Sequence, residues 1–229
     1  MSDEIYFKPS FFKFLRDLRE NNNRDWFNAN KGRYEDSVKD PALRFISDFG
    51  QHLGKISRHF SADPRPVGGS MFRIYRDVRF SKNKDPYKTA VGIQFRHKAG
   101  KDAHAPGFYL HLEPGEIFAA GGMWHPDSPA LKGIRDGIVA DPARWKRIRK
   151  GKAFQDGFQL GGDSLKRPPK GYDGDHPLID DLKRKDFICH KRLTQKAVTS
   201  PGFPKVLAGL YRQTGPLVKF LCEAVGVEY

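Results

Sequence analysis

The spacing of the apolar residues changes twice along this 229-residue chain, which restricts the folds that it can adopt. Near the N-terminus, apolar residues recur at positions 11, 14, 15 and 18, the pattern of a helix with one buried face. From Met71 apolar and polar residues alternate, as in a strand with one buried face. After position 128 the helical spacing returns with Leu131, Ile134 and Ile138. The sequence therefore predicts helices at both ends and strands in the middle.

The central third contains short apolar runs that are separated by turn residues. The first run, 71–80, places Phe72, Ile74, Val78 and Phe80 on one face, and further strands are expected at 91–95, 108–112 and 117–119. Because the connections are short, the strands should be antiparallel neighbours. The expected fold is α+β, an antiparallel sheet of about four or more strands packed with N-terminal and C-terminal helices. One domain is expected over 1–229, helical over 9–58, β-rich over 70–122 and helical over 128–229.

The chain is strongly basic, with 41 lysine and arginine residues against 27 acidic residues and a formal net charge of +14. Residues 72–101 alone contain nine basic and two acidic residues. A positive balance of this size favours anionic partners, such as nucleic acid or phosphorylated metabolites.

Two classes of protein are disfavoured by the composition. No stretch approaches the roughly 20 apolar residues of a membrane span, so no membrane partner is expected. The two cysteines cannot form a disulfide framework, and the expected compartment is the reducing cytoplasm. Cys189 precedes His190 and Lys191, which would lower the pKa of its thiol if the side chain were exposed.

Arginines dominate the predicted strand at 71–80. Arg73 and Arg79 share its polar face, whereas Arg76 falls on the apolar face between Ile74 and Val78. A guanidinium in an apolar stripe must be paired, and its planar fork binds carboxylate or phosphate bidentately. One interpretation is a pocket for an anionic group, and the alternative is an ion-pair network beside a solvated basic loop. The expected ligand-binding residues are Arg73, Arg76, Arg79, Lys84, Lys88, Gly121 and Gly122.

The paired glycines at 121 and 122 lead from a predicted strand toward a predicted helix, so backbone N–H groups there could face an anionic ligand. Tight turn geometry is the alternative, since no phosphate-loop motif is present. The candidate catalytic residues are Asp77, Tyr87 and His111, and His125 is a further acid or base candidate; the histidines also fit ordinary surface roles. The eight histidines form neither HExxH nor HxxxH, so the sequence supports no metal site and no cofactor.

A second basic run, 144–150, has helical spacing and contains no acidic residue. A solvated helix face explains it, although its charges repel one another unless an anion is near. In a nucleic-acid binding module, residues 144–152 would contact phosphates together with Lys82, Lys84 and Lys88. Tyr75 or Trp145 would then stack on bases.

Several motifs resemble a known family. They are Phe14-Leu15 to Asn22 with Trp26-Phe27, the run from Phe72 to Ser81, Asp85-Pro86-Tyr87-Lys88, and Gly107-Phe108-Tyr109 through Gly121-Gly122, continuing into Leu131 and Ile134-Arg135. On these residues the chain resembles, over nearly its whole length, the bacterial and fungal proteins grouped as domain of unknown function 2461. The resemblance implies a single domain that spans the protein, and it carries over no reaction, cofactor or catalytic residue.

Three functions stay open from the sequence. The first, which the inward parity of Arg76 favours, is an enzyme or a sensor for a small molecule that bears a phosphate or carboxylate. The second is a nucleic-acid binding module with a basic surface, which the global charge favours. The third is a non-catalytic structural or partner-binding domain whose positive surface serves solubility. Sequence alone decides neither whether the protein is an enzyme nor its ligand and oligomeric state.

Overall fold

The computed structural model describes residues 4–100 and 104–229, and its N-terminal part is helical. The helices are α1 (Pro9–Glu20), α2 (Arg24–Ala29), α3 (Lys31–Tyr34) and α4 (Asp40–Gly54), with a π-helical turn at Glu35–Lys39. Asn23 caps α2, because its side chain accepts a hydrogen bond from the backbone N–H of Trp26 at 2.9 Å. Pro41 stands near the start of α4, directly after the π-helical turn, so it lies inside a continuous helical run where proline removes a backbone donor. The predicted N-terminal helices are confirmed.

The sheet has five strands, β1 (Val91–Arg96), β2 (Gly107–Glu113), β3 (Glu116–Met123), β4 (Gln159–Gly161) and β5 (Phe187–Arg192). Their order is β1-β2-β3-β5-β4, and every neighbouring pair is antiparallel. The first three form the predicted meander, so the α+β class is confirmed. β4 and β5 lie in the region predicted to be helical over 128–229, and the prediction is wrong for these segments. Both take their hydrogen-bond partners from distant parts of the chain, which local spacing does not reveal.

The predicted strand at 71–80 is wrong. Within it only Met71 and Tyr75 form isolated bridges, to Ile93 and Tyr87. The side chain of Phe80 is 96% exposed, although the alternation placed it in the core. The segment instead folds back on itself as an irregular hairpin beside β1. A regular ladder is interrupted where the returning chain contains Pro86, which has no N–H to donate.

Six helices lie in the C-terminal part, α5 (Ser128–Ala140), α6 (Pro142–Arg149), α7 (Lys152–Gln155), α8 (Ile179–Leu182), α9 (Gln195–Val198) and α10 (Phe203–Ala224). Asp127 and Asp141 cap α5 and α6 by accepting hydrogen bonds from backbone N–H groups at 2.9 and 2.8 Å. A proline follows in the first turn of each helix. Among the described residues, no helix combines the length and the apolar content that a membrane crossing requires.

The longest helix, α10, covers one face of the sheet. Phe108 of β2 stacks on Tyr211 with ring centroids 4.8 Å apart, and Gly121 of β3 faces Thr214 and Val218. A Cβ atom at Gly121 would lie 2.5 Å from Thr214 Oγ1, so glycine permits this close approach. Because side chains alternate across a strand, the neighbours of these two strand residues point to the opposite face. We call that face the outer sheet face.

Candidate functional site

A cavity of ≈ 510 Å³ lies on the outer sheet face, and we call it the sheet-face cavity. Residues that meet in register form its floor, since Tyr109 lies opposite Ala120 and Ala120 lies opposite His190. In the next row Gly122 lies opposite Ile188. Because alanine and glycine have small side chains or none, the centre of the face is recessed between larger residues.

Aromatic rings surround this recessed floor. Tyr109 lies between Phe72 and Phe118, with ring centroids 6.1 and 5.9 Å away. Phe118 in turn meets the ring of His190 edge to face at 5.8 Å. Trp124, which is 49% exposed, also lines the cavity. A recess with aromatic walls and a few polar groups is typical of small-molecule sites.

Two basic side chains of β5, His190 and Arg192, line the sheet-face cavity. Arg192 is exposed, and no carboxylate in the described part of the chain forms an ion pair with it. Glu116 is the one acidic residue of the lining within that part, and the amide of Gln94 is buried there. The cavity therefore presents a guanidinium fork, which suits a carboxylate or a phosphate.

A chain of polar contacts runs along β2 at the edge of the cavity. Tyr109 Oη lies 3.2 Å from His111 Nδ1, and His111 Nε2 lies 3.3 Å from Glu113 Oε2. Thr89 donates a hydrogen bond to the second carboxylate oxygen, Glu113 Oε1, at 2.8 Å. Burial, and to a lesser degree Glu113, raises the pKa of Tyr109 to about 12, so this tyrosine stays protonated at neutral pH. The carboxylate orients the imidazole, as in proton-transfer sites.

The hairpin formed by β2 and β3 brings together three groups that could hold a metal ion. Ligand atoms of His111, Glu113 and Glu116 all lie within 4.8 Å of one another. One imidazole and two carboxylates suit a divalent transition metal. The sequence supported no metal site because it contains no histidine pair at metal-ligand spacing. The set forms because the turn at 114–115 places Glu116 opposite Glu113. The Pro-Gly turn predicts this pairing only if the two flanking segments are taken to be paired strands.

No basic residue of the 72–89 segment lines the sheet-face cavity. Arg79 hydrogen-bonds Asp77 through Nε to Oδ1 at 2.9 Å and through Nη2 to Oδ2 at 2.7 Å, and both side chains are exposed. Arg76 Nη1 lies 4.0 Å from Asp85 Oδ2, and Arg73 is exposed. Arg76 is half-buried whereas its neighbours Tyr75 and Asp77 are exposed, so it keeps its inward parity although the regular strand is absent. Local ion pairing beside a solvated loop describes this segment better.

The other expected residues of that segment stabilise its backbone. Lys84 Nζ and Lys88 Nζ donate hydrogen bonds to backbone carbonyls within the segment, at 3.0 and 2.9 Å. Burial, helped by the charge of Arg73, lowers the pKa of Lys88. Tyr87 is buried and stacks on Phe27 with ring centroids 4.1 Å apart. Of the residues expected at a site, Gly121 and Gly122 line the sheet-face cavity and His111 stacks on its lining residue Phe118.

A second polar pair consists of His125, which follows Trp124 in the chain, and the distant Asp186. Asp186 is 1% exposed, and its Oδ1 accepts hydrogen bonds from the backbone N–H and from Nδ1 of His125, both at 2.8 Å. Its Oδ2 accepts the backbone N–H of Asp163 at 2.9 Å. Burial would raise the pKa of Asp186, but the hydrogen bonds from Asp163 and His125 outweigh it and hold the pKa below its ordinary value.

His125 has φ 47°, a left-handed conformation that few residues other than glycine adopt. The buried carboxylate of Asp186 thus fixes both the backbone and the ring of a half-exposed histidine. The sequence indicated His125 as an acid or base candidate and missed Asp186. Their pairing depends on contacts across 61 positions, which spacing does not signal.

The two cysteines are free thiols, and both are buried. Burial raises the pKa of each thiol, Cys189 and Cys222, to about 12. The condition for a lowered Cys189 pKa, an exposed side chain, is not met.

Residues 10–220 match the family described as "Conserved hypothetical protein (DUF2461)", and the chain belongs to that family. The resemblance seen in the sequence motifs is thereby confirmed. No curated protein and no solved structure matches the chain. The family description names no substrate and no reaction.

Proposed function

We propose that this member of the family binds, in the sheet-face cavity, a small molecule with a planar apolar part and a carboxylate or phosphate group. One observation supports this above all: aromatic walls, a floor of small residues and the exposed guanidinium of Arg192 meet in one recess of ≈ 510 Å³. Small-molecule sites have volumes of roughly 300–1,000 Å³ and a few convergent polar groups.

The shape of the recess favours a flat ligand. Ala120 and Gly122 leave the strand backbones uncovered, while the rings of Tyr109 and Phe118 stand beside them. Placing an aromatic ring on this floor would remove roughly 100 Å² of apolar surface from water. That burial contributes about 2.5 kcal/mol to the binding free energy before the entropy cost of association. Affinity therefore needs a second, polar contribution.

The charge of the recess supplies that contribution. Arg192 can hold a carboxylate or phosphate with two parallel hydrogen bonds. His190 lies on the same strand and face, two residues earlier. The phenol of Tyr109 is neutral at pH 7, as any tyrosine with an ordinary or raised pKa is, so it does not repel an anion. Arg192 also lacks an ion pair with any described residue, which leaves its donors available.

Both cysteines are free thiols, which supports a reducing compartment such as the cytoplasm for this function. Oxidising compartments favour paired cysteines in structural disulfides. A small anionic metabolite would be available there as a ligand.

Thermal unfolding with matched probes tests the proposal. 4-Nitrobenzoate and phenyl phosphate carry the ring and the anion, whereas 4-nitrobenzyl alcohol and phenol carry the ring alone. At ten times the dissociation constant, a ligand adds about 1.4 kcal/mol to the free energy of unfolding. We expect the anionic probes to raise the melting temperature and the neutral probes, at equal concentration, to leave it unchanged.

Two variants locate the effect. Arg192→Met keeps most of the side chain's length without its charge, and Ala120→Leu fills the floor of the cavity, so each should abolish the shift. Arg73→Met is the matched control, because it removes an equally exposed arginine outside the cavity. A shift that survives in both cavity variants, or one that disappears in Arg73→Met, contradicts the proposal.

A further inference from the structure

A larger groove, of ≈ 1170 Å³, lies between α6, α10 and the C-terminal end of α4, and we call it the basic groove. Trp145 of α6 packs against α10, because its ring lies 5.2 Å from that of Phe220. Arg144 and Arg147 are three residues apart on α6, so they lie on one face of that helix. The basic residues of the lining are Lys55, Arg144, Arg147, Lys152, Arg212 and Lys219.

Few of these charges are neutralised by the protein itself. Glu223 is the one acidic residue of the lining within the described ranges, and it pairs with Arg144 at 2.5 Å. Lys152 pairs with Asp156 at 3.0 Å. The remaining basic residues are exposed and form no ion pair with any described residue; they are Lys55, Arg147, Arg212 and Lys219.

The field at the wall of the groove is positive. Burial, and after it the charges of Lys55 and Arg212, lowers the pKa of His52 on the last turns of α4. Uncompensated like charges that face one groove destabilise the folded state through repulsion, and a bound anion relieves that repulsion. The groove is therefore suited to an anionic ligand.

We infer that the basic groove binds single-stranded nucleic acid. Arg212 and Lys219 lie two turns apart on α10, roughly 10 Å along the helix axis at 1.5 Å per residue. Charges distributed in this way match a ligand with repeated phosphates better than a single phosphate. Tyr229 and Phe154 add aromatic surface to the lining. A single strand exposes its bases for stacking on such rings, whereas a duplex does not.

Fluorescence anisotropy of labelled oligo(dT), twelve nucleotides long, tests the inference on the full chain. Each phosphate neutralised on a single strand contributes about −0.7 to the slope of log affinity against log salt, so four contacts predict about −2.8. Affinity should then fall roughly 50-fold between 50 and 200 mM salt. The double variant Arg147→Ala/Arg212→Ala should reduce the slope by about 1.4 and weaken binding roughly 25-fold at 100 mM salt.

The control removes two exposed charges elsewhere, Arg73→Ala/Lys82→Ala, and should bind like the wild type. Both double variants change exposed residues, and equal melting temperatures would show that neither loses its fold. Four results would overturn the inference: no binding at 50 mM salt, an unchanged slope in the groove variant, an equal loss in the control, or tighter binding of a duplex of the same length. Displacement by inorganic tripolyphosphate at an equal phosphate concentration would also overturn it in favour of a general phosphate site.

Discussion

Asp186→Asn tests whether a buried carboxylate fixes the chain beside the sheet-face cavity. Asp186 accepts three hydrogen bonds, two from His125 and one from the backbone of Asp163. Asparagine can retain the two bonds on one oxygen, but its amide group would face the N–H of Asp163, donor against donor. The substitution also removes the negative charge beside the imidazole.

The expected loss follows from these contacts. A hydrogen bond to a charged group contributes about 1.5–3 kcal/mol, and breaking a buried pair costs about 3–5 kcal/mol. Because His125 is half exposed, we expect a loss at the lower end, about 2–4 kcal/mol at pH 7. The folded-state pKa of Asp186 is lowered, so its contribution is fully present above the unfolded pKa of about 3.9 and is lost as the pH falls through the folded pKa.

Urea unfolding followed by circular dichroism, at several pH values between 7 and 2.5, measures both effects. The wild type and Asp186→Asn should differ most at pH 7, and their free energies of unfolding should converge below pH 4. Asp163→Asn removes an exposed neighbouring carboxylate and should change stability by no more than about 0.5 kcal/mol. A loss below 1 kcal/mol at pH 7, or a difference that does not narrow in acid, refutes the reasoning.

Three further predictions concern packing and reactivity. Gly121→Ala should destabilise the protein by about 1–3 kcal/mol in urea unfolding, because the new methyl group meets Thr214; an unchanged midpoint would show that the helix can move away. Cys189 and Cys222 should resist Ellman's reagent at pH 8 in the native protein and react after unfolding, and fast native labelling of either would contradict their burial. Phe80→Ser should alter the free energy of unfolding by no more than about 0.5 kcal/mol. A loss of stability as large as that from removing a buried phenylalanine, about 3–5 kcal/mol, would instead place Phe80 inside the protein.

The sequence sufficed for elements whose partners are near in the chain. The helix α1 buries Phe11, Phe14, Leu15 and Leu18, as their spacing predicted. β2 and β3 are joined by a two-residue turn, so their pairing follows from local turn chemistry. β5 could not be predicted in this way, because its partners in β3 lie more than 60 residues earlier.

The candidate site was harder to predict, for a physical reason. Alternation of apolar residues indicates a strand only if a partner completes the ladder, and the segment around Arg76 has no regular partner. Arg76 is half-buried, but without the regular strand it lies outside the sheet-face cavity. Arg192 and His190 were not predicted as ligand-binding residues, because β5 itself was not predicted. Gly122 was indicated by the pair of glycines that ends a predicted strand, and its place in the cavity follows from the register of β3.

The most direct test of the proposed function is a map of where the anionic probe binds. Amide chemical shifts of the ¹⁵N-labelled protein, followed during titration with 4-nitrobenzoate, provide that map. We expect the perturbed amides to cluster at 92–94, 107–111, 118–122 and 188–192, the strand segments that form the sheet-face cavity. Perturbations that cluster at 73–88 instead, or that are spread over the surface without saturation, would contradict a site on the outer sheet face.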